Sequence, residues 1–342
     1  MPFLVLRKAV AVLAAACVAL TTVAGAQALR DGAPSCGGRD LLPELRARGA
    51  EVAQRLDAAA AAMVNAKAIL WRIEKEGVPP SHIFGTVHVS DDRVNALTPA
   101  IETAIDGSRV VALEIADLSP KRLVEGIAKV KQLLEYPHGQ SLETQLAPDE
   151  LSVARDAMQK AGMPPAALAK LRPWVVTMSI ALTECERQRT AGGLKPLDER
   201  LGIRADARRI QVISLETVED QMRAMAAVPE ADQLALLKAG LKLHHLTPDM
   251  IETLIRRYLA SDLGMIWAVQ SELWREHGVG EAAAGAFMRE LVVVRNKRMR
   301  DTVMPYVAKG GTFIAVGALH LPGKDGLVAL FQEAGYKATP VE

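Results

Sequence analysis

The sequence predicts an α/β protein: a single domain built on one mixed sheet, with a large helical insertion or cap. Three observations predict it. Short apolar runs of strand character occur towards both ends of the chain, at Ile69–Ile73 and at Thr312–Val316. Between them, from about residue 148 to 309, most of the chain carries helical spacing. No repeat of solenoid length and no low-complexity linker divides the 342 residues. A C-terminal strand completing a sheet begun far upstream is the economical arrangement.

Residues 1–26 stand apart from that domain, which is expected to span 27–342. Arg7 and Lys8 precede a mostly apolar run from Ala9 to Ala24, which exits through Ala24-Gly25-Ala26. A basic start, a short apolar core and a small-x-small exit describe a Sec-type signal peptide, cleaved after Ala26. A membrane anchor is the competing reading, but the run is shorter than the ~20 residues a span prefers. No later apolar run reaches spanning length. The mature chain is therefore expected to be exported, most simply to the periplasm, with no stable membrane span.

Leu41 to Lys67 reads as one long helix, with Leu45, Val52, Leu56 and Met63 at roughly helical spacing. Ile69–Ile73 and His82–Gly85 flank the turn-rich Glu76-Gly77-Val78-Pro79-Pro80, which predicts a hairpin. Helices are expected over 92–105 and 120–135, separated by the strand Arg109–Glu114. From Pro148 to about Arg189 the chain reads as helical, with Pro164, Pro165 and Pro173 marking breaks. Gln211–Leu215 is a short strand, and 217–309 is helical with an interruption at Thr247-Pro248. Thr312–Val316 returns to strand, followed by a helix from Lys324 and a last strand near Tyr336.

Composition narrows the function. Lys and Arg number 41 against 40 Asp and Glu, a formal charge of +1, so nucleic acid is not an expected partner. Three cysteines are too few for a disulfide scaffold or a Cys-rich zinc fold. Once Cys17 leaves with the signal, Cys36 and Cys185 remain. In an oxidising compartment they read as one bridge between the mature N-terminus and a mid-chain helix; two unpaired thiols are the alternative.

One local echo points to chemistry. Ile83-Phe84-Gly85-Thr86-Val87-His88 and Ala315-Val316-Gly317-Ala318-Leu319-His320 are each an apolar strand followed by Gly-x-x-His. With 25 Gly and 7 His in the chain, about 0.5 such matches arise by chance. Two, both at strand exits, ask for a reason. Gly85 and Gly317 let the chain turn or another group come close, and ligands of α/β sheets gather at the carboxyl ends of strands. Glu114 also follows an apolar strand, where an acid must be solvated or paired. His88, Glu114 and His320 form a ligand set for a divalent metal such as Mn, Co or Zn. The same three also suit metal-free catalysis, with one His as general base and Glu114 orienting it. Arg295 lies on a core-facing stripe with Met288, Val292 and Met299, so its cation needs Glu114 or an anionic substrate or transition state. Lys297, Arg298 and Arg300 read as a solvated face.

Those residues, with Leu197-Asp198, Leu215-Glu216-Thr217, Gln221, Arg295-Asn296 and His320-Leu321-Pro322-Gly323, make the chain from about Ala68 onward resemble the TraB/PrgY/GumN family, in its GumN-like bacterial branch. The resemblance implies an EreA/ChaN-like α/β fold, shared with erythromycin esterases and haem-binding ChaN-like proteins. It implies that His88, Glu114 and His320 are the metal or catalytic set, and it matches Arg295 to an arginine near the active site of the esterase-like relatives. The family includes the metal-dependent proteases of the TIKI type. The leading expectation is therefore an exported, metal-dependent hydrolase cleaving a peptide or other acyl bond, with Arg295 stabilising the oxyanion. A non-catalytic periplasmic protein binding haem or a small anion, or a metal-independent esterase-like hydrolase, would use the same cleft.

Overall fold

The computed structural model describes residues 36–341. The expected signal peptide, including Cys17, lies outside the described residues. The strands are β1 (Leu70–Lys75), β2 (Val78–Thr86), β3 (Val110–Leu113), β4 (Gln211–Ser214), β5 (Thr312–Gly317) and β6 (Lys337–Pro340). They form one mixed sheet in the order β4-β3-β5-β2-β1-β6. The fold is α/β.

Sequence accounts for where each strand lies. β3 is buried at all four positions, and β5 at five of six. Such uniformly apolar runs suit the interior of a parallel sheet covered on both faces. β5 runs parallel to β3 on one side and to β2 on the other, with Leu113 opposite Ala315 and Thr86 opposite Gly317. β4 adds a fourth parallel strand. β1 and β6 pair antiparallel beyond β2; β1 mixes buried and exposed residues, and the edge strand β6 buries none of its four. Pro79 and Pro80 fall in β2 before its pairing with β5 begins at His82, where their missing N–H groups break no bond to β5.

The helical expectations hold in outline and fail in continuity. The run expected from Leu41 to Lys67 is two helices, Leu41–Ala47 and Ala50–Ala61, parted at Arg48-Gly49. The helix expected over 92–105 is Asp92–Asn95 and Pro99–Asp106, because Thr98 caps a new start ahead of Pro99. The sheet's core takes in Ile105, Leu201, Tyr258, Met299, Val303 and Phe331 from the surrounding helices. A second, separate core, around Met158, Leu168, Val176 and Leu237, holds the helices Pro148–Lys160, Pro173–Ile180 and Glu230–Leu243 together.

Cys36 is bonded to Cys185 in the helix Glu184–Ala191, with 149 positions between them. That helix also grips the chain leaving β2. Glu186 accepts the Ser90 N–H at 2.6 Å, and Arg189 donates to the Ser90 hydroxyl at 3.0 Å and to its carbonyl at 2.7 Å. Reducing the bridge, or replacing both cysteines by serine, is expected to lower the unfolding free energy by roughly 2–4 kcal/mol, through the loop entropy returned to the unfolded chain. Urea denaturation with and without dithiothreitol measures this, and the double-serine variant should be indifferent to the reductant.

Candidate active site

Four parallel strands end at one edge of the sheet, and each is followed by an acid or a histidine. His88 comes two residues after β2, Glu114 one after β3, Glu216 two after β4 and His320 three after β5. Three helices close over that edge and bring in Asp198, Gln221, Arg295 and Asn296.

Glu114 is the hub. Its Oε2 accepts from Gln221 at 2.9 Å and from Arg295 Nη2 at 2.8 Å. Its Oε1 accepts the Gly317 N–H at 2.6 Å and faces His320 Nε2 at 3.7 Å. Burial is the largest single influence on its carboxyl and favours the protonated form. His320, Arg295, His88 and the Gly317 N–H outweigh it and hold the group down at about 2. At neutral pH His320 is itself uncharged, so the positive charge beside the carboxylate there comes from Arg295 and His88.

Arg295 lies between two carboxylates. Beyond Glu114 it forks onto Glu216 through Nε at 3.0 Å and Nη2 at 2.7 Å, and its Nη1 donates to the Leu291 carbonyl at 3.0 Å. The sequence left open whether this cation faces Glu114 or an anionic ligand; the structure pairs it with Glu114 and Glu216. The stripe that carries it is interrupted by one wide π turn, Arg289–Val293, just ahead of the helix Val294–Val307. Lys297 and Arg298 are exposed and Arg300 is half-buried.

The two histidines are oriented by different partners. His88 Nδ1 lies 2.7 Å from Asp198 Oδ2, while the other oxygen of Asp198 accepts the Thr86 hydroxyl. The Asp198 carboxylate raises His88 to about 9, against burial. Neighbouring groups crowd the ring, yet 63 % of its side chain is exposed to solvent. His320 is buried, with Nδ1 2.7 Å from Asn296 Oδ1. The Asn296 amide nitrogen donates to the carbonyls of His320 and Asp325, so its oxygen is the atom left to accept from Nδ1–H. Nε2 of His320 therefore presents its lone pair towards Glu114. Burial pushes this imidazole down to about 4.

The glycines of the echo explain themselves here. A Cβ on Gly317 would lie 3.3 Å from Glu114 Oε1, 3.5 Å from His320 Cδ2 and 3.6 Å from His88 Nε2, so three side chains converge over a bare Cα. At Gly85 it would sit 3.0 Å from Ala318 Cα, because the two Gly-x-x-His segments pack on each other. Spacing alone gave Asp198, Glu216 and Gln221 no role. Glu216 was within reach of the rule applied to Glu114, since it too follows an apolar strand.

A family model described as "TraB/PrgY/gumN family" matches residues 69–340. The chain belongs to this family. Among curated proteins it is 25 % identical over 314 residues to Metalloprotease TIKI2 of Xenopus tropicalis, covering 78 % of this chain and 58 % of that protein. It is 26 % identical over 314 residues to Metalloprotease TIKI1 of Danio rerio, covering 78 % and 62 %. With Metalloprotease TIKI1 of Homo sapiens it shares 25 % over 315 residues, covering 78 % and 61 %. The chain thus spans about three fifths of the length of these relatives. No solved structure matches it at comparable stringency.

Among the described residues, no three His, Cys, Asp or Glu side chains are arranged to hold an ion as they stand. The donor types do suit a divalent cation. Both imidazoles have Nδ1 engaged, by Asp198 and by Asn296, which leaves Nε2 facing Glu114 or the cleft beside it. In the metal-free form His88 carries a proton that an ion would have to displace.

Two consequences are measurable. Asp198→Asn should move the His88 titration, followed by NMR, from about 9 down towards the ordinary imidazole value. Arg295→Met should cost roughly 3–5 kcal/mol at neutral pH, because two carboxylates lose their buried counter-ion. In the native protein Glu114 has a depressed pKa, so its contribution is present above the usual carboxylate range and lost as pH falls through about 2. In the variant Glu114 loses this counter-ion while its burial still favours the protonated form, so the deficit should shrink on acidification; urea denaturation across pH 3–7 reads the sign.

Proposed function

We propose that the protein is a hydrolase of peptide or other acyl bonds, working at the cleft where His88, Glu114 and His320 converge over Gly317. That convergence carries the proposal, and the resemblance to TIKI metalloproteases supports it. His88, Glu114 and His320 are the residues that would hold a divalent ion. When bound, such an ion supplies Lewis acidity and a water of lowered pKa. The chain's own groups do the rest. Asp198 and Asn296 fix the two rings, and the Gly317 N–H and Gln221 hold the carboxylate in place. Arg295 keeps Glu114 ionised and supplies positive charge beside the reacting carbonyl oxygen. The helices of 148–309 cover this edge as a cap.

A metal-independent route has its own observation in its favour. The environments of His88 and His320 push their pKa values apart, to about 9 and about 4, which is how an acid and a base are prepared side by side. On that route His320 Nε2 takes the proton of the attacking water and His88 donates to the leaving group. The bond between Cys36 and Cys185, with the signal-like start of the sequence, supports work outside the cytoplasm in an oxidising compartment, most simply the periplasm.

Calorimetric titration of Mn²⁺, Co²⁺ and Zn²⁺ into metal-stripped protein, beside His88→Ala/His320→Ala, separates the routes. Stoichiometric binding that the variant loses is the expected result. Glu114→Gln should lower turnover of a peptide library by about 10²-fold or more while leaving the circular dichroism spectrum intact. Hydrolysis without metal binding would select the metal-independent route, and a library left uncut by the metal-loaded protein would sink the proteolytic one.

A further inference from the structure

Away from the cleft, the helices Pro173–Ile180, Glu230–Leu243, Thr247–Leu259 and Leu263–Glu276 leave an apolar pocket of about 370 Å³ between them. That is more than twice the ~150 Å³ apolar cavity known to admit benzene. Trp174, Met225, Leu236, Met250, Trp274 and Phe287 are among its walls. Trp274 is held edge-on between Phe287, 5.0 Å away, and Trp267, 5.9 Å away, so one wall is rigid. Two of the named walls are methionines, whose unbranched side chains adapt to the shape of an occupant.

The threonines in the lining are turned to other tasks, while Gln233 donates its amide to the Val228 carbonyl at 2.6 Å and keeps a buried Oε1 with no partner among the described residues. Thr177, Thr247 and Thr253 donate their hydroxyls to the carbonyls of Pro173, His244 and Asp249 at 2.8–3.1 Å. His244 is the one lining residue able to take a charge, and burial, aided by nearby Lys160 and Arg187, holds its pKa below the ordinary imidazole value. The interior is therefore uncharged at neutral pH, and a charged group entering it would give up its hydration unmatched.

Gly240 is the second observation. It sits inside the helix Glu230–Leu243, where glycine is the least favourable residue after proline. Neither a positive φ nor a close contact calls for it: a Cβ there would meet nothing within 4 Å. It borders the pocket, and a side chain at this position would stand in the open space.

We propose that this pocket binds an uncharged aliphatic chain. The chain has two sources of the same chemistry, the acyl part of a substrate or a separate lipid. The first would rest on the hydrolase reading, and Leu291 gives it a route: this residue lines the pocket, and its carbonyl accepts Arg295 Nη1 at 3.0 Å.

The test uses the full-length protein and a terminally brominated dodecanol, which quenches tryptophan fluorescence on contact. Saturable quenching is expected in the unaltered protein and should vanish in Trp174→Phe/Trp274→Phe, which keeps Trp71 and Trp267. Gly240→Leu fills the open space, so it should abolish the quenching with no fall in melting temperature. Absence of saturable quenching in the unaltered protein overturns the proposal, as does quenching that Gly240→Leu leaves unchanged. Quenching needs no turnover, so this outcome is independent of the hydrolase reading. Given quenching, faster cleavage of a dodecanoyl than of an acetyl p-nitrophenyl ester, with the preference lost in Gly240→Leu, assigns the chain to a substrate. Absence of that preference assigns it to a separate lipid.

Discussion

One ionised carboxylate organises the edge of this sheet. Glu114 ends the interior strand β3 in a place with little water, and burying it requires donors from several directions at once. They come from β5 through the Gly317 N–H, from Gln221 on one helix and from Arg295 on another. Arg295 is then shared with Glu216, at the exit of β4. Meeting the demand of a single side chain thus fixes the relative positions of three strands and two helices. The same demand makes the edge polar and compact.

The two Gly-x-x-His segments look equivalent in the sequence, and the structure treats them as opposites. His88 is exposed to solvent and paired with a carboxylate, whereas His320 is buried and paired with a neutral amide. At neutral pH one is a cation with both nitrogens protonated, and the other is neutral with a proton on Nδ1 alone. Asp198 raises the first and burial lowers the second; Asp198 and Asn296, which orient the two rings, stand 110 and 24 positions away from them. A motif gives the ring and the glycine beneath it; the proton on the ring is decided by surroundings drawn from elsewhere in the chain.

That division describes what could be read without coordinates. The strands were legible because each is a short apolar run bounded by turn residues, and Glu114 because an acid at the end of such a run needs a partner. Glu216 obeyed the same logic but sat in a weaker run: Gln211 and Ser214 are exposed at either end of β4. Asp198 lies in the first turn of a helix, where acids are common for purely local reasons. The break before Pro99 has a local signal in the Thr98 cap and the helix-starting proline, and the one at Arg48-Gly49 falls at a glycine of positive φ, whereas the π turn ahead of Arg295 carries no such mark. Helical periodicity runs straight through them. The wider EreA/ChaN-like kinship of the fold is carried only by the resemblance of the sequence.

Strand order gives the site a history as well as a shape. β5 occupies the middle of the sheet, between β3 and β2, yet Gly317 and Glu114 are 203 positions apart in the chain. Before β5 arrives, β2 with β1 and β3 with β4 are unconnected ribbons, each with an open inner edge. Closing a loop that long is slow, and the pairing gained at its end is what repays the entropy. A chain still being made therefore holds His88 and Glu114 on separate fragments, with no Gly317 beneath them. The proposed site exists only once the central strand is seated.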